Sequence, residues 1–600
     1  MLDAFKLDPQ PSKMLSLNPR AHCSFLYEPS RMNDDEGTES PNLYYTGGLH
    51  PVHLNDIVSA SSAEEPSKAP GGQGYRILHK LGVGSFSHVW FGQNLDPAHP
   101  GHRGAALKFI TSKQTGKTHE VEINRFLAEM HRSRSQDSGS QNFALCLETF
   151  QINGPNGIHD VIVTEPAVLL SVIISNNIIE HLDERIIFKQ TLSGLGFLHK
   201  HGIIHRDLHF ENIAIEFPFM RSTSVPEIMK GSGHPSCHAV VSEAHTTHIP
   251  SLPKYIVERA AFLKHFWTPM KLEAASFVVK IIDFGRSFRP ETHDMPDPKQ
   301  GNPRLRPPEC NVRNMIPKNM LSSAGWRPTT LSTNAKWPSF VPGQSASMDI
   351  GPDAMLASRT TAWPGESSPL ADGAGKNQEF STSTQLPTDI EGLEISLSTE
   401  EQERAALFKF DRAWSAYVLD EEREPAPDVS DLVWSPQGDI WVVACTLFLT
   451  LVRYPTSDIF RSGEYGSMFR EIAHYLGPMP DRYRLLVDAG AKADWPGSSY
   501  SAQQCSKALD IDPSLSDPLV IEKNWNQLEQ EVRGYQRDWR RRGQISKERL
   551  RASEDWTAPL AIDEEERKRV QACLQLIRRM LKWSPEDRIS ASDAAASLCT

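Results

Sequence analysis

The spacing of hydrophobic positions changes along the chain, from patterns typical of strands to patterns typical of helices. In "YRILHKLGVGSFSHVWFGQN" (75–94) apolar residues stand on both sides of a glycine turn, which predicts a β-hairpin with a tight loop. "GAALKFI" (104–110) is a short β-prone run. "HEVEINRFLAEM" (119–130) carries apolar residues at 123, 126, 127 and 130, the spacing of one helix face. "HDVIVTEPAVLLSVII" predicts a buried strand and a connector, and from "ERIIFKQTLSGLGFLHKHG" (184–202) onward helices dominate. Strands first and helices later predict an α+β chain with two lobes.

Other stretches lack this periodicity. Residues 1–70 are rich in Pro, Ser, Asn and Glu and are expected to form an extended N-terminal arm. Three regions look inserted: about 218–270, rich in His, Ser and Pro; about 311–430, rich in Ser, Thr, Gly, Pro and Ala; and about 500–558, alternating in charge. The second has too little apolar surface to offset the entropy of ordering.

Composition narrows the class. Of the 600 residues, 39% are hydrophobic and 23% charged, as in a soluble globular protein, and the formal net charge of −12 argues against direct nucleic-acid binding. The eight cysteines are scattered without C-x-x-C spacing, which excludes a zinc ribbon and suits a reducing compartment. The start lacks a secretory pattern and no apolar run reaches the ~20 residues of a bilayer-spanning helix. A monomer of the cytoplasm and nucleus, without membrane contact, is expected.

The candidate chemistry lies between the insertions. Gly82 and Gly84 in "LGVGSFSHV" let backbone approach a phosphate with no side chain between them. Lys108 in "AALK" would place an ammonium by the α and β phosphates. Glu122 is expected to hold that lysine, ahead of Glu120 on the same helix. In "GIIHRDLHFENIAI" (202–215), Asp207 would orient or accept the proton of an attacking hydroxyl, and Asn212 would reach a metal ion. Asp283 in "VVKIIDFGRSF" would bridge Mg²⁺ between phosphates, since Mg²⁺ prefers oxygen ligands and takes few from protein.

In this order the motifs resemble those of the eukaryotic protein kinases, and the resemblance continues in "GNPRLRPPE", "GDIWVVACTLFL" and "SPEDRISASDAA". "GLHPVHLNDIV" ahead of the glycine loop, and Ser87 in place of its third glycine, resemble kinases of arginine-serine-rich splicing factors in the CMGC branch, especially fungal ones. The resemblance implies a two-lobed kinase domain over 71–600, with an N-lobe at 71–165 and a C-lobe at 166–600. It implies ATP and Mg²⁺, transfer of the γ-phosphate to serine or threonine, and protein substrates with Arg/Ser-rich proteins among them. ATP would be held by Leu81, Gly82, Val83, Gly84, Ser85, Phe86, Ser87, His88, Val89 and Lys108, with Thr164, Glu165 and Ala167 around the adenine. Asn212 and Asp283 would hold the metal. Asp439 would bond the catalytic-loop backbone, and Arg588 would pair with Glu309.

Two positions depart from that pattern. Kinases place lysine where His209 stands and threonine where Asn302 stands. A protonated His209 would act as a weaker phosphate clamp, giving activity that falls as pH rises past neutrality. Arg206 would meet a carboxylate among Glu291, Asp294 and Asp297 in place of an activating phosphate. The rival readings are a pseudokinase scaffold that binds ATP without turnover and, from "HRDLH", a small-molecule phosphotransferase.

Overall fold

The small lobe is built on one antiparallel sheet. The computed structural model describes residues 38–60, 74–96, 104–133, 139–175, 182–217, 223–232, 234–240, 249–260, 277–294, 301–315, 432–453, 459–460, 465–493, 509–548 and 564–598. Strands β1 (Ile57–Val58), β2 (Tyr75–Val83), β3 (Ser87–Asn94), β4 (Gly104–Ile110), β5 (Cys146–Gly154) and β6 (Gly157–Thr164) lie in the order β1-β2-β3-β4-β6-β5. Lys108 is opposite Val89 on one side and Ile162 on the other, which places it centrally in the sheet. Helix α1 (Glu120–Ser133) packs on the sheet, with Ala128 and Val121 joining Ile110, Cys146 and Ile162 in one apolar cluster.

The large lobe is mostly helical. Its early elements are β7 (Val168–Leu169), α2 (Leu170–Ser175), α3 (Glu184–Lys200), β8 (Ile213–Glu216), α4 (Val225–Ser232), β9 (Cys237–Ala239), β10 (Tyr255–Val257) and β11 (Val278–Ile281). Helices α5 (Pro308–Arg313), α6 (Pro436–Val452), α7 (Tyr465–Leu476), α8 (Asp481–Ala493), α9 (Pro518–Glu548), α10 (Glu564–Met580) and α11 (Ala591–Ala596) follow. Strands β7, β8 and β11 form a small sheet that carries the catalytic loop on one side and Asp283 on the other. Helix α6 is apolar on all sides, and every residue except Gln437 is buried, so it serves as the core around which the lobe packs. Gly202, in the left-handed region at φ +69°, ends α3 and turns the chain into the catalytic loop. Among the described residues no helix is long and apolar enough to cross a membrane.

Part of the expected arm is folded. In residues 38–60, Tyr44, Leu49, Val52 and Val58 are buried, and β1 pairs with β2. Glu39 forms a fully buried ion pair with Lys80 of β2, whose ammonium also lies 5.1 Å from the Trp90 ring centroid. The Tyr44 hydroxyl donates to the same Glu39 carboxylate. Composition hid these contacts because they rest on a few isolated side chains rather than on a periodic stripe. Residues 1–37 lie outside the described residues.

The first insertion also has a fixed position. Val225, Ile228 and Met229 of α4 pack against Leu78 and Phe91 of the small-lobe sheet. Strands β9 and β10 form a hairpin, and Val257 joins the small-lobe core. Of the second insertion only 311–315 are described. The third is an extension of the core in part: Trp525, Leu528 and Val532 recur on one face of α9 and bury in the large-lobe cluster. Its alternating charges obscured that stripe in the sequence.

Three histidines of the small lobe are held neutral. Burial lowers His50 to about 3, with His159 adding to the effect, and lowers His79 to about 4. His88 is fully buried among Tyr44, Trp90 and Phe109, and burial carries it well below the ordinary imidazole value. Protons therefore bind the unfolded chain first. Their contribution to stability is complete above about pH 6.5 and is lost as pH falls below it, by about 2 kcal/mol per buried imidazole at pH 5. Thermal unfolding between pH 7.5 and 5 should show this loss, and His88→Leu should reduce it; an unchanged slope in His88→Leu would contradict the assignment.

Candidate active site

The catalytic loop is fixed by a carboxylate beneath it. Asp439, in the first turn of α6 and fully buried, accepts the backbone N–H groups of His205 and Arg206, both at 2.7 Å. His199 Nε2 lies 3.1 Å from the same carboxylate. Thr446 Oγ1 donates to the Leu208 carbonyl at 3.0 Å, and His205 Nε2 lies 3.1 Å from the Ile282 carbonyl, which ties the loop to the segment bearing Asp283. Two non-glycine residues sit in the left-handed region here, Arg206 at φ +69° and Asp283 at φ +62°. Such conformations persist only where surrounding bonds over-determine them.

At the other side of the cleft, Lys108 Nζ donates to Glu120 Oε1 at 2.6 Å and to Asp283 Oδ1 at 2.8 Å. The expected partner Glu122 is thus corrected to Glu120. Helix geometry gives the reason: Glu120 lies three and seven positions before Ile123 and Leu127, on the buried face, whereas Glu122 is rotated away and 55% exposed. Burial would lower Lys108, but Asp283 and Glu120 together hold it above its ordinary value. Burial pushes Glu120 up to about 7, against the pull of Lys108, while the same ammonium holds Asp283 at about 2 in spite of burial. Asp283 thereby keeps the negative charge that a divalent cation requires.

These groups open into one cavity of about 920 Å³, a volume suited to a nucleotide. Leu81, Gly82, Val83, Gly84, Ser85, Phe86, Ser87 and Val89 form its roof, and Thr164, Glu165 and Ala167 line its inner wall. A Cβ placed on Gly82 would meet nothing within 4 Å, so the glycine leaves open space there. His88 is the exception among the expected nucleotide contacts. Strand alternation turns it to the opposite face from Ser87 and Val89, into the small-lobe core, and it does not line the cavity.

Asp207, His209 and Asn212 reach the same cavity from below. Asn212 Nδ2 donates to the Asp207 carbonyl at 2.7 Å, which commits the amide nitrogen and leaves Oδ1 as the atom that could hold a metal ion. Asn212 Oδ1 and the Asp283 carboxylate make an all-oxygen donor pair, the set Mg²⁺ prefers. His209 Nε2 stands 3.8 Å from Asp207 Oδ2 and 3.2 Å from Asn212 Nδ2. Asn302 accepts from the Arg304 N–H at 3.1 Å and, among the described residues, makes no bond to Asp207. Arg286 takes that place, with Nε 3.1 Å from Asp207 Oδ2. Sequence reasoning missed Arg286, although its position directly after "DFG" put it within reach.

Downstream, Glu309 and Arg588 form the expected pair, bidentate at 2.8 and 2.7 Å and fully buried. Arg306 is buried and donates to the Gly301 carbonyl at 3.4 Å, while Arg304 is exposed. The Arg206 guanidinium lies over the rings of Phe288 and Trp434 and donates to the Arg286 carbonyl. Glu291 and Asp294 are exposed, and Asp297 lies outside the described residues.

Glu122 has a different partner. His293 Nε2 lies 3.1 Å from both its oxygens, and the His293 and His119 rings stack 3.4 Å apart at 9°. The three side chains could suggest a metal site. Parallel stacked rings, however, cannot both direct a lone pair in-plane at one ion, and His293 Nδ1 already accepts the Arg289 N–H at 3.0 Å. The cluster instead joins α1 to the segment after Asp283.

The two glutamates should separate cleanly in a nucleotide titration. Glu120→Gln is expected to weaken ATP binding about tenfold, the effect of losing one charge-assisted bond to Lys108, and Glu122→Gln less than twofold. A larger loss in Glu122→Gln would reverse the assignment.

Comparison with known proteins agrees with this geometry. Residues 75–220 match the protein kinase domain family. The chain is 32% identical over 188 residues to Serine/threonine-protein kinase spk-1 of Caenorhabditis elegans, covering 30% of this chain and 17% of that protein. It is 31% identical over 188 residues to SRSF protein kinase 3 of Homo sapiens, covering 30% of each. Over 198 residues it is 26% identical to Serine/threonine-protein kinase SKY1 of Saccharomyces cerevisiae, covering 30% of this chain and 24% of that protein. The matched stretch thus spans less than a third of the length of each of these relatives. Residues 75–220 thus match the protein kinase domain family, and over that part the chain is similar to the kinases named spk-1, SRSF protein kinase 3 and SKY1.

Proposed function

We propose that the protein is an ATP-dependent protein kinase that phosphorylates serine or threonine, with arginine-serine-rich proteins as its substrate class. The observation that carries the activity is the meeting of Lys108, Glu120, Asp283, Asp207 and Asn212 around one cavity. The substrate class is supported by the name of the relative SRSF protein kinase 3 and by the net charge of −12, which complements a basic peptide.

Each residue has a defined part. Lys108, steadied by Glu120, meets the phosphates at the inner end of the cavity. Asn212 and Asp283 would hold Mg²⁺, which would offset the charge of the phosphates. Asp207 accepts the substrate hydroxyl's proton through the oxygen that Arg286 does not occupy, Oδ1. His209, between Asp207 and Asn212, supplies positive charge beside the transferring group when protonated. The intact set of proton-handling, phosphate-positioning and metal-binding side chains favours catalysis over a pseudokinase scaffold. The Glu309–Arg588 anchor of the activation segment supports a protein substrate over a small molecule.

A labelled-ATP assay on arginine-serine and acidic peptides tests the proposal. Phosphate should enter serine of the arginine-serine peptide, and Asp207→Asn should lower kcat by about 10² to 10⁴. ATP binding without transfer to any peptide would refute it. In the same assay, His209→Ala should lower kcat and His209→Lys should restore it; an unchanged rate in His209→Ala would remove His209 from the mechanism.

A further inference from the structure

The first insertion leaves the large lobe after β8 and comes back to the nucleotide cavity. Its β9–β10 hairpin is anchored on the small lobe: Val257 is fully buried there, and the Tyr255 hydroxyl accepts the Leu54 N–H at 3.0 Å. Immediately beyond β10, Arg259 forms a parallel bridge with Lys80, and the Ala260 N–H donates to the Lys80 carbonyl at 2.8 Å. Lys80 directly precedes Leu81 and Gly82 at the roof of the cavity. Arg259 and Ala260 consequently line the cavity itself, together with Gly82, Glu211 and Asn212.

The Arg259 side chain is partly buried and, among the described residues, forms no hydrogen bond or close ion pair. The negative charge that acts on it is Glu211, from the catalytic loop of the opposite lobe, while burial works to lower its pKa. A nucleotide lying between the inner wall at Glu165–Ala167 and the Lys108–Asp283 pair must pass between Leu81–Gly82 above and Glu211–Asn212 below. Arg259 stands beside that passage. The part of a nucleotide that occupies it is the sugar and the first phosphate.

We propose that Arg259 is a nucleotide-binding residue supplied by the insertion, whose guanidinium meets the sugar–α-phosphate portion of the bound nucleotide. This rests on the nucleotide reading of the cavity. A guanidinium suits the role because its planar donors match phosphate oxygens in pairs. The backbone bond of Ala260 fixes the position without using the side chain, so the insertion contributes a wall to the site as well as a charge.

Calorimetric titration of the full chain with adenosine and with Mg²⁺–ADP tests this. Arg259→Ala should weaken ADP binding about tenfold and change adenosine binding less than twofold. Arg259→Gln, which keeps much of the side-chain length without the charge, should show the same selective loss and serves where the alanine variant unfolds. Unchanged ADP affinity, or equal losses for adenosine and ADP, would overturn the role of Arg259. Wild-type protein that binds neither ligand would overturn the nucleotide reading itself.

Discussion

A single buried carboxylate underlies the arrangement of the site. Asp439 sits at the first turn of a helix that is apolar on every side, and its oxygens receive two consecutive backbone N–H groups from the loop above. A charge buried this deeply is tolerated only when hydrogen bonds surround it, so helix and loop constrain each other. Arg206 holds its left-handed conformation under that constraint, and Asp207 follows directly after it. The His205–Ile282 contact then carries the constraint across to Asp283, and Asp283 carries it to Lys108 and Glu120 in the other lobe. The two lobes are aligned through this chain of polar contacts.

Much of that chain could be read from the sequence because its members lie in short motifs whose spacing is set by local geometry. A loop that must present Asp207 and Asn212 to one point has little freedom in length, and a glycine turn between two strands announces itself. Lys108 and Asp283 were legible for the same reason. The errors arose where facing mattered more than spacing. Glu120 and Glu122 are two residues apart, and only the phase of the helical stripe separates them; the stripe at 123 and 127, extended backwards, reaches Glu120. His88 lies within the glycine-loop motif, but alternation along β3 sends it into the core.

Long-range packing was the least legible layer. Residues 38–60 and the first insertion have compositions that resemble loops, yet they interlock. Asn156, in a small-lobe turn, donates to the carbonyls of Leu49 and Ser251, joining both segments at one side chain. His53 accepts the Lys254 N–H at 3.0 Å in the same seam. Such contacts link positions from 95 to 201 residues apart and leave no periodic trace. They matter to function because the seam ends at Lys80, next to the glycine loop, so the roof of the cavity is braced by segments outside the strands and helices of the two lobes.

The most direct test of the central claim is a crystal structure with a non-hydrolysable ATP analogue and Mn²⁺, located by its anomalous signal. One nucleotide is expected in the cavity, its phosphates against Lys108, with an anomalous peak in contact with the Asn212 amide oxygen and the Asp283 carboxylate. A nucleotide bound elsewhere, or a cation that touches neither residue, would contradict it.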